Sequence, residues 1–533
     1  MDNTLTNNPK GAGHMGSSSE LILALDIGTQ SVRAIIFDLA GNVAGLSKKP
    51  LPPWDAPYPG WAETPAEVFW ETLCAAIQGL WQDNPGLKKA VACVTLTTQR
   101  NTLVTVDENG MPLRPAILWL DQRIAPVVPP LSPSWRLLFL LAGQKTTVAY
   151  LQGQAKVNWL QYYEPQIWAR TRKVLFLSGY LTHQLTGHLV DSTGCQVGYL
   201  PFDYKKQDWA GKRDWRWQAL ALDRSQMCEL IQPGERLGQI SATAATATGI
   251  PQGIPVVAAA ADKACETMGT GCLSPFQANI SYGTAAAINV PSSRYIEPLP
   301  MFPAYPSAWP GHYNLEVQVF SGFWLVSWFI REFGLQEIMA AAEQQVAPEE
   351  ILDDLIKDIP PGAQGLLVQP YWVPGLGRPG VEARGAAMGF RHNHTRAHLY
   401  LAMLEGLAFA LREGRERLEQ RTGQKITRVH ISGGGARSTR MTEITADVFN
   451  LPVFRTHTWE TAALGASVVA AVGSNFFPDF PTAVAAMVRY QEAVQPDAAR
   501  VAVYEEIYGR VYQPLYRRLK PLYQAISQRE GLL

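Results

Sequence analysis

Apolar positions in this chain come mostly in short continuous runs, and several of those runs stop at a carboxylate or a glycine. The first run is Leu21 to Phe37, LILALDIGTQSVRAIIF. Leu21, Leu23 and Leu25 alternate with Ile22 and Ala24, which predicts a strand buried on both faces. The chain turns through Gly28-Thr29 and resumes as a second apolar strand, Val32 to Phe37, closed by Asp38 to Gly41. Thr64, Pro65 and Glu67 mark a helix start, with the helix running to about Trp81. A strand follows at Ala90 to Thr97, then a hairpin from Leu103 to Val106 that turns at Asp107 to Gly110. Residues Lys156 to Gln161 and Arg172 to Leu185 read as helices, and Asp191 to Val197 as a polar loop.

The same pattern recurs later. Ile254 to Ala260 is an apolar strand that ends just before Asp262, with a helix over Ala264 to Met268. Asn279 to Val290, ANISYGTAAAINV, is a second strand–Gly-Thr–strand hairpin, which predicts an internal duplication. Phe323 to Phe333 reads as a helix, and Tyr371 to Arg384 as a loop punctuated by Pro374, Gly375, Gly377, Pro379 and Gly380. A long amphipathic helix spans about Thr395 to Arg421, with an apolar stripe of Leu399, Met403, Leu404, Leu407, Phe409 and Leu411. The strand Ile426 to Ile431 runs into Ser432-Gly433-Gly434-Gly435-Ala436-Arg437-Ser438 and another helix. Glu460 to Gly473, ETAALGASVVAAVG, is a small-residue helix suited to close packing against a ligand or a second helix.

Composition narrows the function. The 533 residues can build two or more domains. Lysine plus arginine and aspartate plus glutamate are equal at 46 each, which gives no electrostatic case for nucleic acid or an anionic membrane. Six cysteines (Cys74, Cys93, Cys195, Cys228, Cys265 and Cys272) show neither a CxxC pair nor zinc spacing, so they read as buried thiols of a reducing compartment. No apolar run reaches the ~18 residues of a membrane span, and a soluble, cytoplasmic protein is expected. Residues 1–19 lack an apolar signal core and include Gly13-His14-Met15; they read as a disordered or tag-like segment.

The chemistry sits where the runs stop. Asp26 ends the first strand beside a turn with free backbone amides, a geometry that can hold a phosphate chain and its Mg²⁺. An ordinary hairpin with a polar turn reads the same way. Trp119, Asp121 and Arg123 have the composition of a sugar pocket, an apolar wall with hydroxyl-gripping charges, or of a core Trp beside a surface ion pair. Three glycines between a strand and a helix leave amides free at a helix N-terminus, a signal for nucleotide. His392, His394 and His398 have no carboxylate or cysteine companion and read as surface residues. GxxxxGK[ST], GxGxxG after the first strand and GxSxG are all absent.

Together, DxGTxSxR at Asp26 to Arg33, Gln99-Arg100-Asn101, WxDxR at Trp119 to Arg123, Asp262, SYGT and SGGGARS resemble the FGGY family of carbohydrate kinases. Gly385 to Phe390 with His398 to Gly406 is similar to the family's second signature, with Ala387 and Phe390 departing from it; the likeness runs from about residue 20 to 480. The resemblance implies an α/β fold of two actin-like (ribonuclease H-like) ATPase domains with a cleft between them. Residues 20–272 would form the sugar and phosphate side and residues 273–533 the nucleotide side.

It also implies ATP-dependent phosphorylation of a hydroxyl of a small sugar or polyol (ketose, polyol or sugar acid), with ATP and Mg²⁺. Asp262 would be the general base, ionised at pH 7 near its ordinary pKa of ~3.9. Asp26 would organise Mg²⁺ through water. Gly28, Thr29, Gln30, Arg33, Gly283 and Thr284 would line the phosphates, and Gly433, Gly434, Gly435 and Ala436 the adenosine end. Arg100, Asn101, Trp119, Asp121 and Lys263 would face the acceptor. A homodimer is open to such a protein. Asn101 stands where glycerol kinases carry Glu, Arg100-Asn101 where xylulokinases carry Met-His, and Lys263 where Gln or Asn commonly follows the base. These departures leave the acceptor open, and Lys263 either grips an oxygen-rich acceptor or pairs with Glu266. An actin-like ATPase and a catalytically silent sugar-binding relative are the alternatives.

Overall fold

The structure, a computed structural model, describes residues 20–373, 375 and 379–529. The tag-like segment, Pro374 and Gly377 therefore lie outside the described residues.

Two six-stranded sheets organise the described residues. In the first, β1 (Leu21–Ile27), β2 (Ser31–Phe37) and β3 (Val43–Pro50) form an antiparallel meander. On the other side of β1 come β4 (Val91–Thr98), β6 (Pro255–Ala258) and, at the edge, β5 (Arg236–Gln239), in the order β5-β6-β4-β1-β2-β3. β4 runs parallel to β1, and β6 parallel to β4. The second sheet repeats this plan. β7 (Gln277–Tyr282), β8 (Ala286–Ser292) and β10 (Tyr313–Val319) are antiparallel. β11 (Arg428–Ser432) lies parallel to β7, β12 (Val453–Arg455) parallel to β11, and β9 (Tyr305–Pro306) edges β10. Three antiparallel strands extended by two parallel ones, twice over, is a duplicated α/β fold with ribonuclease H-like topology.

The apolar runs explain the layers. Leu21, Leu23 and Leu25 point into one core with α1 (Ala66–Asp83), while Ile22 and Ala24 point into another on the opposite face. Leu21, Ile22, Leu23, Leu25 and Ile27 are at most 1% exposed. Each contributes roughly 1.5–3 kcal/mol by burial, and together they fix where Asp26 emerges. The opposite core is shared with α2 (Asp262–Gly269) and α5 (Thr461–Gly473), so the late part of the chain returns to the first sheet. The small-residue helix thus packs on another helix. A Cβ on Gly465 would lie 1.8 Å from the Cys265 carbonyl oxygen, an approach only glycine permits.

Three local expectations change. Arg172 to Leu185 is not one helix, because Lys173–Phe176 pairs antiparallel with Leu103–Val106 and the helix covers only Leu177–Thr186. A short apolar run satisfies either period, and strand pairing decides it. The segment 191–197 is a buried strand end and 3₁₀ turn rather than an open polar loop. Finally, α3 (Arg396–Thr422) is not amphipathic over its first half, since every residue from Tyr400 to Leu411 is buried. It lies in the second core, and α4 (Thr439–Phe449) contributes to the same core. His398 is likewise buried at the start of α3, where its Nδ1 accepts from the Thr395 backbone amide at 3.3 Å. His392 is exposed and His394 half-buried.

All six cysteines are free and buried. Among the described residues no helix is long and apolar enough to cross a membrane.

Candidate active site

Asp26 stands one residue before the end of β1, directly opposite Arg33 across the antiparallel pair. Residues paired in this way share a face, and Arg33 Nη1 donates to Asp26 Oδ2 at 2.8 Å. Arg33 also lies 3.4 Å from Glu460 Oε2, which enters from the residue before α5. Burial pushes the Asp26 carboxyl up to about 6; Arg33 opposes the rise, and the charges of Glu460 and Asp262 add to it. Asp26 and Asp262 therefore lie close enough to feel each other's charge.

Next to Asp26 the first turn is held by its own backbone, Gly28 N donating to the Ser31 carbonyl at 3.1 Å. The Thr29 hydroxyl is not a spare donor, contrary to expectation. It donates to Gln99 Oε1 at 2.7 Å and accepts from Trp119 Nε1 at 2.9 Å. Trp119 thus braces the turn. Gln30 is exposed at the tip.

Asp262 is the first residue of α2, and its Oδ1 accepts from the Lys263 amide at 2.7 Å. The carboxylate is not at its ordinary value. Burial raises it, while Lys263, Arg100 and the Lys263 amide pull it back. The segment leading to it is clamped from an unexpected side. Ala261 N donates to the Gly194 carbonyl at 3.1 Å, and Ser192 Oγ donates to the Ala259 carbonyl at 2.5 Å. The 191–197 segment is itself fixed by Asp191, whose carboxylate accepts from Ser178 and Gln196, both at 2.8 Å. Burial pushes Asp191 up to about 7.

Arg100 reaches across the cleft. Its Nε lies 3.8 Å from Asp262 Oδ1, and its Nη1 and Nη2 donate to the two Glu316 oxygens at 3.0 Å each. Glu316 belongs to β10 of the second sheet. Lys263 Nζ donates to Glu266 Oε2 at 2.9 Å and to Ser281 Oγ at 2.5 Å. The Glu266 pairing that the sequence left open therefore forms, and the same ammonium also ties α2 to the second sheet. Ser281 stands one residue before the end of β7, the place Asp26 holds in β1.

The second turn, Gly283-Thr284, follows β7 directly, and Phe323 N and Trp324 N donate to its carbonyls at 2.9 and 3.1 Å. The glycine run lies against it. Gly433 has φ of +80°, and a Cβ there would come within 2.8 Å of the Tyr282 carbonyl carbon and 3.1 Å of Gly283 N. Gly434–Arg437 forms a 3₁₀ turn, after which Ser438 caps α4 by accepting from Met441 N. Gly433 thereby sits on the Gly283 turn, Gly435 lies against the Phe323 ring, and a Cβ on Gly283 would lie 3.6 Å from Lys263 Nζ, beside Asp262.

One expected pocket residue lies elsewhere. Asp121 has a side chain that is 0% exposed. Its oxygens are taken by Arg123 Nε at 2.8 Å, Arg123 Nη2 at 2.7 Å and the Ala62 amide at 2.7 Å, with Lys156 Nζ at 3.5 Å. It holds a loop and does not face the cleft. Arg123 is stacked between the Trp61 and Trp159 rings, 3.9 and 4.6 Å from their centroids. Asn101 has left-handed backbone, φ +56°, a conformation asparagine tolerates. Its amide oxygen lies against Gly198.

Sequence reasoning missed Glu316, Glu460 and Lys48. The last stands opposite Arg33 on β3, and burial and the charge of Arg33 lower its ammonium. Glu460 opens the small-residue helix, but nothing local ties any of the three to the site; sheet pairing and chain return bring them in.

The model of the FGGY family of carbohydrate kinases, N-terminal domain, matches residues 21–269, and that of its C-terminal domain matches residues 278–474. The chain is 30% identical over 530 residues to the uncharacterized sugar kinase YgcE of Escherichia coli (strain K12), covering 96% of this chain and 98% of that protein. It is 30% identical over 479 residues to a glycerol kinase of Dechloromonas aromatica, covering 87% and 90%. Among solved structures, the xylulose kinase of Rhodospirillum rubrum superposes with a TM-score of 0.77 at 27% identity, covering 95% of this chain and 100% of that one. With both sheets, both Gly-Thr turns and the glycine run in place, the chain belongs to the FGGY family of carbohydrate kinases.

Proposed function

We propose that the protein transfers the terminal phosphoryl group of ATP, with Mg²⁺, to a hydroxyl of a small sugar or polyol, and that Asp262 takes the proton from that hydroxyl. The observation that carries this reading is the convergence of Asp26, Asp262 and the two Gly-Thr turns on one cleft, with Arg100 beside the base at 3.8 Å. Burial makes Asp262 a better proton acceptor than a free carboxylate. Arg100, Lys263 and the start of α2 keep it ionised.

Mg²⁺ fits the donor set. The charge of Glu460 raises the cost of ionising Asp26, and Glu460 Oε2 is buried without a hydrogen bond. Among the described residues no group of three or more metal-ligating side chains exists. An ion held mainly by phosphate and water, with Asp26 as its carboxylate, matches Mg²⁺ habits. When bound, Mg²⁺ supplies charge neutralisation on the phosphates. The backbone amides of Thr29 and Gln30 and of Gly283-Thr284 orient the phosphate chain, Gly28 shapes the turn through its own bond to Ser31, Arg33 adds positive charge, and Gly433 to Ala436 hold the adenosine end. Alignment and charge stabilisation account for most of the rate in such transfers.

The test is ADP release, by coupled assay, over ketoses, polyols and sugar acids. Acceptor-dependent ADP release is expected for at least one of them. ADP release of the same rate with and without every acceptor would favour an actin-like ATPase, and none at all a silent sugar-binding protein.

A further inference from the structure

Beside Asp262, the cleft continues as a cavity bounded by Arg100, Lys263, Tyr305, Asn289, Asn314 and Glu316. Asn289 and Glu316 are direct partners across β8 and β10, and Asn314 lies two residues from Glu316 on the same strand, so the three share one face of the second sheet. Asn289 is 0% exposed and Asn314 3%. Neither Oδ1 nor Nδ2 of Asn289 has a hydrogen-bond partner, and Asn314 Oδ1 has none. Asn279, directly opposite Asn289 on β7, is paired at one end only: its Oδ1 accepts from Ser432 Oγ at 2.9 Å and its Nδ2 has no partner. Buried amides are normally paired, so an amide with both ends unpaired at the wall of a cavity marks a place for an oxygen-bearing occupant.

The cations of this cavity are already engaged. Arg100 is engaged by both Glu316 oxygens, and Lys263 by Glu266 and Ser281. Asp262, Glu266 and Glu316 outnumber the two cations, which leaves no free positive charge for an acceptor carboxylate. What remains for a ligand are neutral amides. The Arg100 guanidinium lies between Asp262, at 3.8 Å, and Glu316, at 3.0 Å, so the amides beside Glu316 stand on its far side from the base.

We propose that Asn289 and Asn314 form the far end of the acceptor site, supplied by the second sheet, and select a neutral polyhydroxylated acceptor longer than glycerol over both glycerol and sugar acids. The selection follows from hydrogen bonding: a site built to pair a hydroxyl rejects a ligand that leaves its buried groups unpaired. The proposal rests on the phosphoryl-transfer reading only for which end of the acceptor reacts.

The full chain is tested with glycerol, xylitol, D-xylulose and D-gluconate, each by calorimetric binding and by acceptor-dependent ADP release. Xylitol or D-xylulose is expected to bind at least about tenfold more tightly than glycerol or gluconate. Asn289→Ala and Asn314→Ala are expected to reduce the five-carbon to glycerol preference about tenfold, through KM rather than kcat. Asn289→Asp keeps the size and shape should the alanine variant fail to fold, and it is expected to lower the same preference because it can no longer donate. Gluconate binding best, none of the four binding, or folded variants with an unchanged preference would overturn the proposal and assign the amides to buried water. Five-carbon binding that responds to the variants without any ADP release would leave the subsite standing and overturn the kinase reading instead.

Discussion

Arg100, just after β4 of the first sheet, and Glu316, on β10 of the second, meet through two parallel hydrogen bonds of 3.0 Å each, while the same guanidinium lies 3.8 Å from Asp262. On the proposed function, this pair builds the acceptor side of the cleft from both halves of the chain. Glu316→Gln keeps the shape and removes the charge. The acceptor KM is expected to rise by about tenfold or more, as for truncating a charged hydrogen bond, with ATP affinity little changed. Arg100, released toward Asp262, should favour its ionised form, so the acid limb of the kcat profile is expected to move to lower pH. An unmoved limb with an unchanged KM would reduce the pair to a structural clamp.

Asp262→Asn retains the size and the hydrogen bond from the Lys263 amide but cannot take a proton. Loss of a general base costs ~10²–10⁴-fold, expected here in kcat with ATP binding preserved. Near-normal turnover in this variant would place the base at another residue.

The framework and two of its carboxylates were legible in the sequence for a physical reason. Strands buried on both faces must be apolar throughout, so an Asp at the exit of such a run stands out, as Asp26 and Asp262 do. A Gly-Thr turn between two such runs is equally visible, and its recurrence announced the repeated sheet. Asp121 misled because WxDxR reads locally as a pocket; its carboxylate is satisfied within the motif by Arg123 and from a distance by the Ala62 amide and Lys156. Glu316 and Asn289 were invisible because polar residues within a strand carry no local sign of what they face. Their importance arises from facing each other across β8 and β10, and from what the closed cleft sets before them.

Asp26 links the site to stability. Its folded value of about 6 lies above the ordinary 3.8, so the folded state holds this proton more tightly than the unfolded one. Its stabilising contribution is therefore full below pH 3.8 and is lost as pH rises through about 6. At about 1.4 kcal/mol per pH unit, the loss is roughly 3 kcal/mol. Asp26→Asn removes the charge that must be buried. In ligand-free protein, its melting temperature relative to the parent is expected to increase between pH 4 and pH 7, while kinase activity falls. A melting difference independent of pH would mean that Asp26 is not strained by burial.

The last prediction concerns the packing that holds Asp262 in place. α2 and α5 approach so closely that a Cβ on Gly465 would lie 1.8 Å from the Cys265 carbonyl oxygen and 2.8 Å from Gly269 N. Both obstacles are backbone, so no rotamer change relieves the clash, and α2 must shift as a body with Asp262 at its first position. Overpacking typically costs ~1–3 kcal/mol, and a displacement near 1 Å at a reacting group can cost about 10²-fold in rate. Gly465→Ala is expected to lower the melting temperature and kcat together. Gly509 is the matched control, because nothing lies within 4 Å of a Cβ built there. Gly509→Ala, within a helical segment, is expected to add about 0.5–1 kcal/mol and leave turnover unchanged. Gly465→Ala with parental melting and parental kcat would show that the helix contact does not position the base.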